Sequence, residues 1–370
     1  MVRTPWGARL PEFPWDTLAA AKASAAAHPD GIVDLSVGTP VDPVAPGIQL
    51  ALAEAAAAPG YPLTAGTPEL REAIAAALVR RYSMEGVRPD AVLPVVGTKE
   101  AIALLPTLLG IRGGFVVIPE VAYPTYEVAG LLSESRILRA DSLLKIGPET
   151  PDLLFLNSPS NPTGKVLGVE HLRKVVDWAR SRGVIVASDE CYLGLGWDDA
   201  QPPVSILDPR VCDGDHTGLI AIHSLSKTSN LASYRAGFFA GDPALIAELL
   251  EVRKHLGLMV PGPIQQAMIA ALEDDGQEAA QRLVYARRRA VLLRALIDAG
   301  FTVDDSEAGL YLWATRGENG RDTVDWLAAR GILVAPGDFY GPRGTQYIRM
   351  ALTGTDERID AAAARLTTRA

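Results

Sequence analysis

His223-Ser224-Leu225-Ser226-Lys227-Thr228, with Tyr234-Arg235-Ala236-Gly237 shortly after it, follows directly on the apolar run Leu219-Ile220-Ala221-Ile222. Such a run reads as a buried strand. It delivers a lysine to the strand's mouth, with two hydroxyls ahead of the lysine and an arginine beyond it. A lysine amine placed there can form a Schiff base with an aldehyde cofactor. The hydroxyls and the arginine can hold a phosphate on that cofactor. Together they point to pyridoxal phosphate (PLP), for which a protein supplies a lysine, a phosphate site and a partner for the pyridine nitrogen. Ser-x-Ser-Lys alone is a common string and most such lysines are solvated, so the rest of the chain decides the matter.

The chain has 370 residues, a length that suggests two domains, although one large α/β unit is an alternative. Hydrophobic residues make up 48% and charged residues 21%, enough for a large core and against disorder. A net charge of -9 disfavours a general nucleic-acid binder but leaves room for a local cationic pocket. Two cysteines, Cys191 and Cys212, are too few for a disulfide framework or a cysteine-rich metal site, and no metal site is expected. The start, Met1-Val2-Arg3-Thr4-Pro5-Trp6, lacks a signal-peptide pattern, and no run is apolar for the roughly 18 residues a membrane span needs. The expectation is a soluble, cytoplasmic protein without nucleic-acid or membrane partners.

Between residues 90 and 245 short apolar strands alternate with helical segments. Val92 to Val96 leads to Gly97-Thr98-Lys99-Glu100. Phe115 to Ile118 leads to Pro119 and a helix from Thr125 to Ser133. Leu153 to Leu156 leads to the loop Asn157 to Gly164 and a helix from His171 to Arg182. Val184 to Ala187 leads to Ser188-Asp189-Glu190. Near-continuous apolar strands separated by helices predict a mostly parallel sheet covered on both faces. Ligands of such sheets sit at the carboxyl ends of the strands, where every polar cluster just named falls. Upstream, Asp16 or Thr17 is a candidate helix cap, Ile32 to Val37 a candidate strand, Pro46 to Ala58 a helix, and Thr67-Pro68-Glu69 a helix start. Residues 244 to 299 read as helical, with Arg287-Arg288-Arg289 as a solvated face. Leu310 to Trp313 and Tyr347 to Met350 read as strands flanking a helix from Asp322 to Arg330, the makings of a smaller α+β domain.

Each cluster has a plain structural reading and a chemical one. Thr98 and Lys99 open a helix, whose free N–H groups and dipole suit a phosphate. Tyr123 can stack on a flat ring. Asn161 precedes a proline and can project its amide into a site, though turn chemistry explains the same string. Asp189 ends a buried strand, where a carboxylate is costly unless paired, and a protonated pyridine nitrogen would pair it. Tyr192 can donate to the ring's phenolic oxygen. Arg349, between apolar neighbours, carries the planar fork that binds a carboxylate.

These strings, in this order, resemble the class I and II aminotransferases of the fold type I PLP enzymes. Gly97-Thr98-Lys99, Asn161-Pro162-Thr163-Gly164, Ser188-Asp189-Glu190-x-Tyr192, Ser224-Leu225-Ser226-Lys227 through Arg235-Ala236-Gly237, and Arg349 carry the likeness, which covers essentially the whole chain. Phe13-Pro14-Trp15-Asp16-Thr17-Leu18, Val33 to Pro43 and Ala335 to Pro342 make it most similar to bacterial N-succinyldiaminopimelate aminotransferases. The resemblance implies an α/β fold with a mostly parallel, seven-stranded-type sheet sandwiched by helices, with a large PLP-binding domain over 46–280 and a small domain from 1–45 and 281–370. It implies a homodimer with shared active sites.

Roles follow from the same resemblance. Lys227 would bind PLP as a Schiff base and then move the proton between substrate Cα and the cofactor's C4′. Asp189 would pair the ring nitrogen, Asn161 and Tyr192 the ring oxygen, and Tyr123 the ring face. Backbone groups of Thr98 and Lys99, with Ser224, Ser226 and Arg235, would hold the phosphate, joined by Tyr61 from a neighbouring subunit. Arg349, with Gly38 and Asn161 nearby, would hold the substrate α-carboxylate. Lys99 departs from the small or hydroxyl residues common at its position. Lys254 and His255, reaching across the dimer, are candidates for reading the distal end of the acceptor, with a plain surface helix as the alternative.

The implied reaction is ping-pong transamination from glutamate to N-succinyl-2-amino-6-oxopimelate, in lysine (diaminopimelate) biosynthesis. Another amino-acid aminotransferase, or a β-lyase or decarboxylase on the same scaffold, remains open, because a fold does not set its reaction. A PLP-sensing regulator is disfavoured by the acidic charge and by the little chain that precedes residue 32.

Overall fold

The computed structural model describes residues 5–367, so Met1 to Thr4 of the start read above lie outside the described residues. The first strand, β1 (Val33–Asp34), is shorter than the expected run from Ile32 to Val37. Asp34 ends it: its carboxylate accepts from the Ser36 N–H at 3.0 Å and the Ser36 hydroxyl at 2.6 Å, a local turn that competes with the ladder.

Seven strands follow: β2 (Val92–Val96), β3 (Phe115–Ile118), β4 (Arg136–Arg139), β5 (Leu153–Asn157), β6 (Ile185–Asp189), β7 (Leu219–Ser224) and β8 (Ala236–Gly241). They form one sheet in the order β2-β8-β7-β6-β5-β3-β4. Pairings from β4 through β7 are parallel, whereas β8 runs antiparallel to both its neighbours. All six residues of β7 are buried. Leu219 and Ala221 join the core on one side of the sheet, Ile220 and Ile222 the core on the other, as the two-residue period requires.

Helices cover both faces. Val169–Arg180 buries Leu172, Val175, Val176 and Ala179, one stripe at helical spacing. Pro68–Tyr82 starts where expected: Thr67 accepts from the Leu70 N–H at 3.2 Å and Pro68 sits at the first helical position. Neither Asp16 nor Thr17 caps the preceding helix. A 3-10 turn, Pro14–Leu18, feeds straight into Ala19–Ala26, and the Thr17 hydroxyl donates back to the Pro14 carbonyl at 2.7 Å.

The second, smaller sheet holds β9 (Thr302–Asp304), β10 (Tyr311–Thr315), β12 (Ala335–Pro336) and β13 (Tyr347–Ala351) in the order β12-β13-β10-β9. The short β11 (Ile332–Leu333) pairs with β1 in parallel. Their shared core takes Leu18, Ala25 and Leu35 from the N-terminal segment and runs to Leu366.

The arginine cluster is not a solvated face. Arg287 is exposed, but Arg288 is buried and Arg289 half-buried. Arg288 grips Asp42 with both Nη atoms, at 2.7 and 2.6 Å, and donates Nε to Asp356 at 2.9 Å. Arg289 donates to the Ser306 hydroxyl and carbonyl at 3.1 and 2.8 Å. Gln281 also donates to Asp42, and Asn230 donates to both Gln281 and the Pro43 carbonyl. The segment following Gly38 is thereby tied to the helix Asp275–Asp298 and to the turn after Lys227. Replacing Arg288 by Met strands Asp42 with only Gln281 as a side-chain donor. The expected loss is roughly 3 kcal/mol of unfolding free energy in denaturant titration, against less than about 1 kcal/mol for Arg287→Ala.

Candidate active site

The carboxyl ends of β2, β5, β6 and β7 open on one cavity of about 520 Å³, walled on its far side by the N-terminal segment and by β10 and β13. Every residue named above as a candidate for the cofactor or substrate lines it except Tyr61, Lys254 and His255. Tyr61 is 97% exposed on the surface of the single chain. Lys254 pairs with Glu251 at 2.6 Å on an exposed helix face, and His255 beside it is exposed, so neither reads a substrate within this subunit.

Lys227 sits on the single helical turn Leu225–Thr228 that caps β7, and its Nζ donates to the Gly38 carbonyl. Burial pushes its amine below the usual lysine range; Tyr311 and Cys191 oppose that push, and Arg349 and Arg235 add to it. A desolvated lysine is therefore neutral, and nucleophilic, more of the time near neutral pH.

Asp189 ends β6 in full burial. Burial raises its pKa, and hydrogen bonds from Cys191 and Tyr126 pull it back. The Tyr126 hydroxyl donates to Oδ2 at 2.6 Å, and the Cys191 N–H donates to Oδ1 at 3.2 Å. Tyr126 was not legible as a site residue, because it lies in an apolar helix, Thr125–Leu132, with its ring stacked on Phe155. Tyr123, three residues earlier, lines the cavity edge-on to Tyr126.

The helix Thr98–Leu108 begins at the cavity with no side-chain cap, so its first N–H groups stay available. Gly97 precedes it at a φ of +78°. A Cβ there would stand 2.1 Å from Arg235 Nη2, so the missing side chain is what lets the guanidinium lie over the turn. Arg235 reaches this place because β8 returns antiparallel to β7, a strand hidden in the sequence by its glycines and small residues. Ser224 and Ser226 line the same corner, and the Ser224 hydroxyl accepts from the Ser226 N–H at 3.1 Å.

Arg349, on β13, is 2% exposed. Nη1 donates to Asn161 Oδ1 at 3.0 Å and Nη2 to the Ser36 carbonyl at 2.8 Å, while Nε has no partner among the described residues. Its guanidinium lies over the Tyr311 ring at 3.9 Å. The Tyr311 hydroxyl is 3.3 Å from that of Tyr192. Tyr311 and Trp15 also line the cavity; in the sequence they look like a strand residue and part of an N-terminal string.

These residues fit PLP. An uncapped helix start, two serines and an arginine suit its phosphate; a buried carboxylate suits its pyridine nitrogen; Tyr123 offers a ring. No cluster of metal-ligating side chains occurs among the described residues.

The profile of aminotransferase class I and II matches residues 30–366. The chain belongs to that family. Its members are PLP-dependent, and this aminotransferase shares their fold type I architecture. It is 69% identical to a probable aminotransferase of Mycobacterium tuberculosis over 97% of its own length and 86% of the relative's. It is 58% identical to the 4-dedimethylamino-4-oxo-anhydrotetracycline transaminase of Streptomyces rimosus, over 97% and 99% of the two chains. Among solved structures, a probable N-succinyldiaminopimelate aminotransferase of Thermus thermophilus superposes with a TM-score of 0.86 at 28% identity, covering 96% and 99%. No helix among the described residues of this aminotransferase is long and apolar enough to cross a membrane.

Gly97→Ala tests the phosphate corner. The added methyl must displace Arg235, and losing one charge-assisted contact of about 1.5–3 kcal/mol weakens cofactor binding roughly 10- to 100-fold. Equilibrium titration of cofactor-free protein with PLP measures this.

Proposed function

We propose that this aminotransferase passes an amino group from glutamate to a linear, succinylated oxo acid of the N-succinyl-2-amino-6-oxopimelate type. The observation that carries the reading is the placement of cations. Arg349 offers a buried fork with an unmatched Nε for an α-carboxylate. Lys99 adds a second positive point: no carboxylate pairs with it among the described residues, and its ammonium lies 5.1 Å from the centre of the Phe13 ring. Burial, and then Arg235, lower its pKa, so an anion beside it would relieve an existing strain on the charge. A donor or acceptor with carboxylates at both ends answers both points. Its departure from the residues common at that position then has a use.

When bound, PLP supplies the carbon that takes up the amino group and a ring that draws electrons from the substrate Cα. The chain's residues do the rest. Lys227 holds the cofactor and, released, takes the proton from Cα and returns it at C4′. Asp189, fixed by Tyr126 and the Cys191 N–H, keeps the ring nitrogen protonated. Tyr192 and Asn161 hold the phenolic oxygen, and Asn161 also ties that oxygen's site to Arg349. Backbone groups of Thr98 and Lys99, with Ser224, Ser226 and Arg235, surround the phosphate, which leaves the Lys99 side chain for the acceptor. Tyr61, exposed in one chain, reaches the phosphate of a second subunit in the homodimer this reading requires. The same reading divides the chain into a large domain, 46–280, and a small one, 1–45 with 281–370; the helix Asp275–Asp298 bridges them.

A second reading has its own support. The 58% identity with the Streptomyces rimosus transaminase favours a bulky cyclic ketone as acceptor. The cavity's apolar wall of Phe13, Trp15 and Leu18 suits that too.

Lys227→Ala is expected to abolish turnover, by at least ~1000-fold in kcat, together with the visible absorbance of lysine-bound cofactor. Comparing kcat/KM for succinylated, free and cyclic oxo acceptors separates the two substrate readings; faster amination of the cyclic ketone rejects the first. Lys99→Ala is expected to lower kcat/KM about 10-fold for the succinylated acceptor while changing that for pyruvate by less than about 3-fold.

A further inference from the structure

Arg253 stands beside Lys254 and His255 in the sequence, but it is 0% exposed where they are open to solvent. It lies in the last turn of the helix Pro243–Leu256, an end that favours a cation. A guanidinium buried that fully still needs a carboxylate. It has one: Nη1 donates to Glu100 Oε1 at 3.0 Å and Nη2 to Glu100 Oε2 at 3.2 Å, while Nε has no partner among the described residues. Glu100 is the third residue of the helix Thr98–Leu108, whose start opens on the cofactor cavity. The pair thus ties a helix far along the chain to the phosphate corner, and none of the roles above uses it.

A free carboxylate at that place would work against the site. A glutamate at the third position of a helix can reach back over the first turn, and its charge draws on the same dipole as a bound anion. Ala101 is the first residue here to donate back, to the Gly97 carbonyl at 3.3 Å, so the N–H groups ahead of it, on Thr98, Lys99 and Glu100, are the ones an anion can take. A loose Glu100 would compete with a phosphate for them and repel it. In the structure it does neither. Thr98, Lys99 and Ile102 line the cavity and Glu100 does not, and both its oxygens are held by Arg253. We infer that Arg253 is a positioning residue for the cofactor phosphate: by clamping and neutralising Glu100 it keeps the start of Thr98–Leu108 open to that anion.

This inference rests on reading that corner as the phosphate site, and the test keeps the two apart. The full chain, freed of cofactor, is titrated with PLP and with pyridoxal, which lacks the phosphate. Arg253→Met should weaken PLP about tenfold, because an unneutralised carboxylate then lies within a turn of the phosphate, and should change pyridoxal by less than about twofold. Arg253→Lys keeps a buried charge without the fork and should show a PLP-only loss of about threefold, which serves if the Met variant does not fold. Combining Arg253→Met with Glu100→Gln removes both charges and should bring PLP affinity back to within about threefold of the native chain. A loss shared equally by PLP and pyridoxal and not rescued by Glu100→Gln marks a merely structural residue and overturns the inference. So does native PLP affinity in both single variants while Gly97→Ala weakens it. If Gly97→Ala leaves PLP affinity unchanged as well, the phosphate corner itself is overturned.

Discussion

Five cations, Lys22, Lys99, Lys227, Arg235 and Arg349, line one cavity against two carboxylates, Asp34 and Asp189, and among the cations Arg349 is buried. Desolvated positive charge without matching negative charge is costly. The rest of the structure is arranged to tolerate that cost until a ligand meets it. Aromatic faces stand where counter-ions would otherwise be needed: Tyr311 under Arg349 and Phe13 beside Lys99. Backbone carbonyls accept two further protons, Gly38 from Lys227 and Ser36 from Arg349, while Arg349 Nε stays unmatched. A phosphate and a substrate carboxylate complete the balance, which is why the site suits an anionic cofactor and an amino acid together.

The sheet makes this concentration of charge possible. Strands β5, β6 and β7 run parallel, so their carboxyl ends bring Asn161, Asp189 and Lys227 to one edge. Strand β8 runs the other way, so Arg235, at its start, lies at that same edge. The second sheet then closes over the edge and inserts Tyr311 and Arg349 from neighbouring strands, with Tyr311 opposite Ala351 in the register. The buried clamp of Arg288 on Asp42 holds the segment leading from Gly38, whose carbonyl and missing side chain serve both Lys227 and Tyr311.

Legibility along the chain followed burial. Strands β3, β5, β6 and β7 are continuous apolar runs because both faces are covered, and each was readable within about two residues. Strand β4 lies at the sheet edge with an arginine at each end, and β8 begins and ends among glycines and alanines, so neither carries that pattern. Arg288 looked like its exposed neighbour Arg287, since charge in a helix says nothing about which carboxylates the fold brings to it. Lys254 and His255 lie on an open helix face of the single chain, and charge alone says nothing about what a second subunit would bring to them.

By itself, then, the sequence determined the buried strands β2, β3, β5, β6 and β7 with the helices between them, and the identity of the chemical groups at their ends, because local periodicity and turn chemistry are written in adjacent residues. Lys227, Asp189, Asn161, Arg235 and Arg349 stood out as candidates on that ground, and the order of their motifs, which resembles a known family, gave them roles. Only the tertiary structure decided which groups touch. Tyr126 on Asp189, Tyr311 between Arg349 and Gly38, and Arg235 over Gly97 join residues 63, 38, 273 and 138 positions apart. Contacts of that kind depend on strand direction and on how two sheets close on each other, quantities that no local pattern encodes.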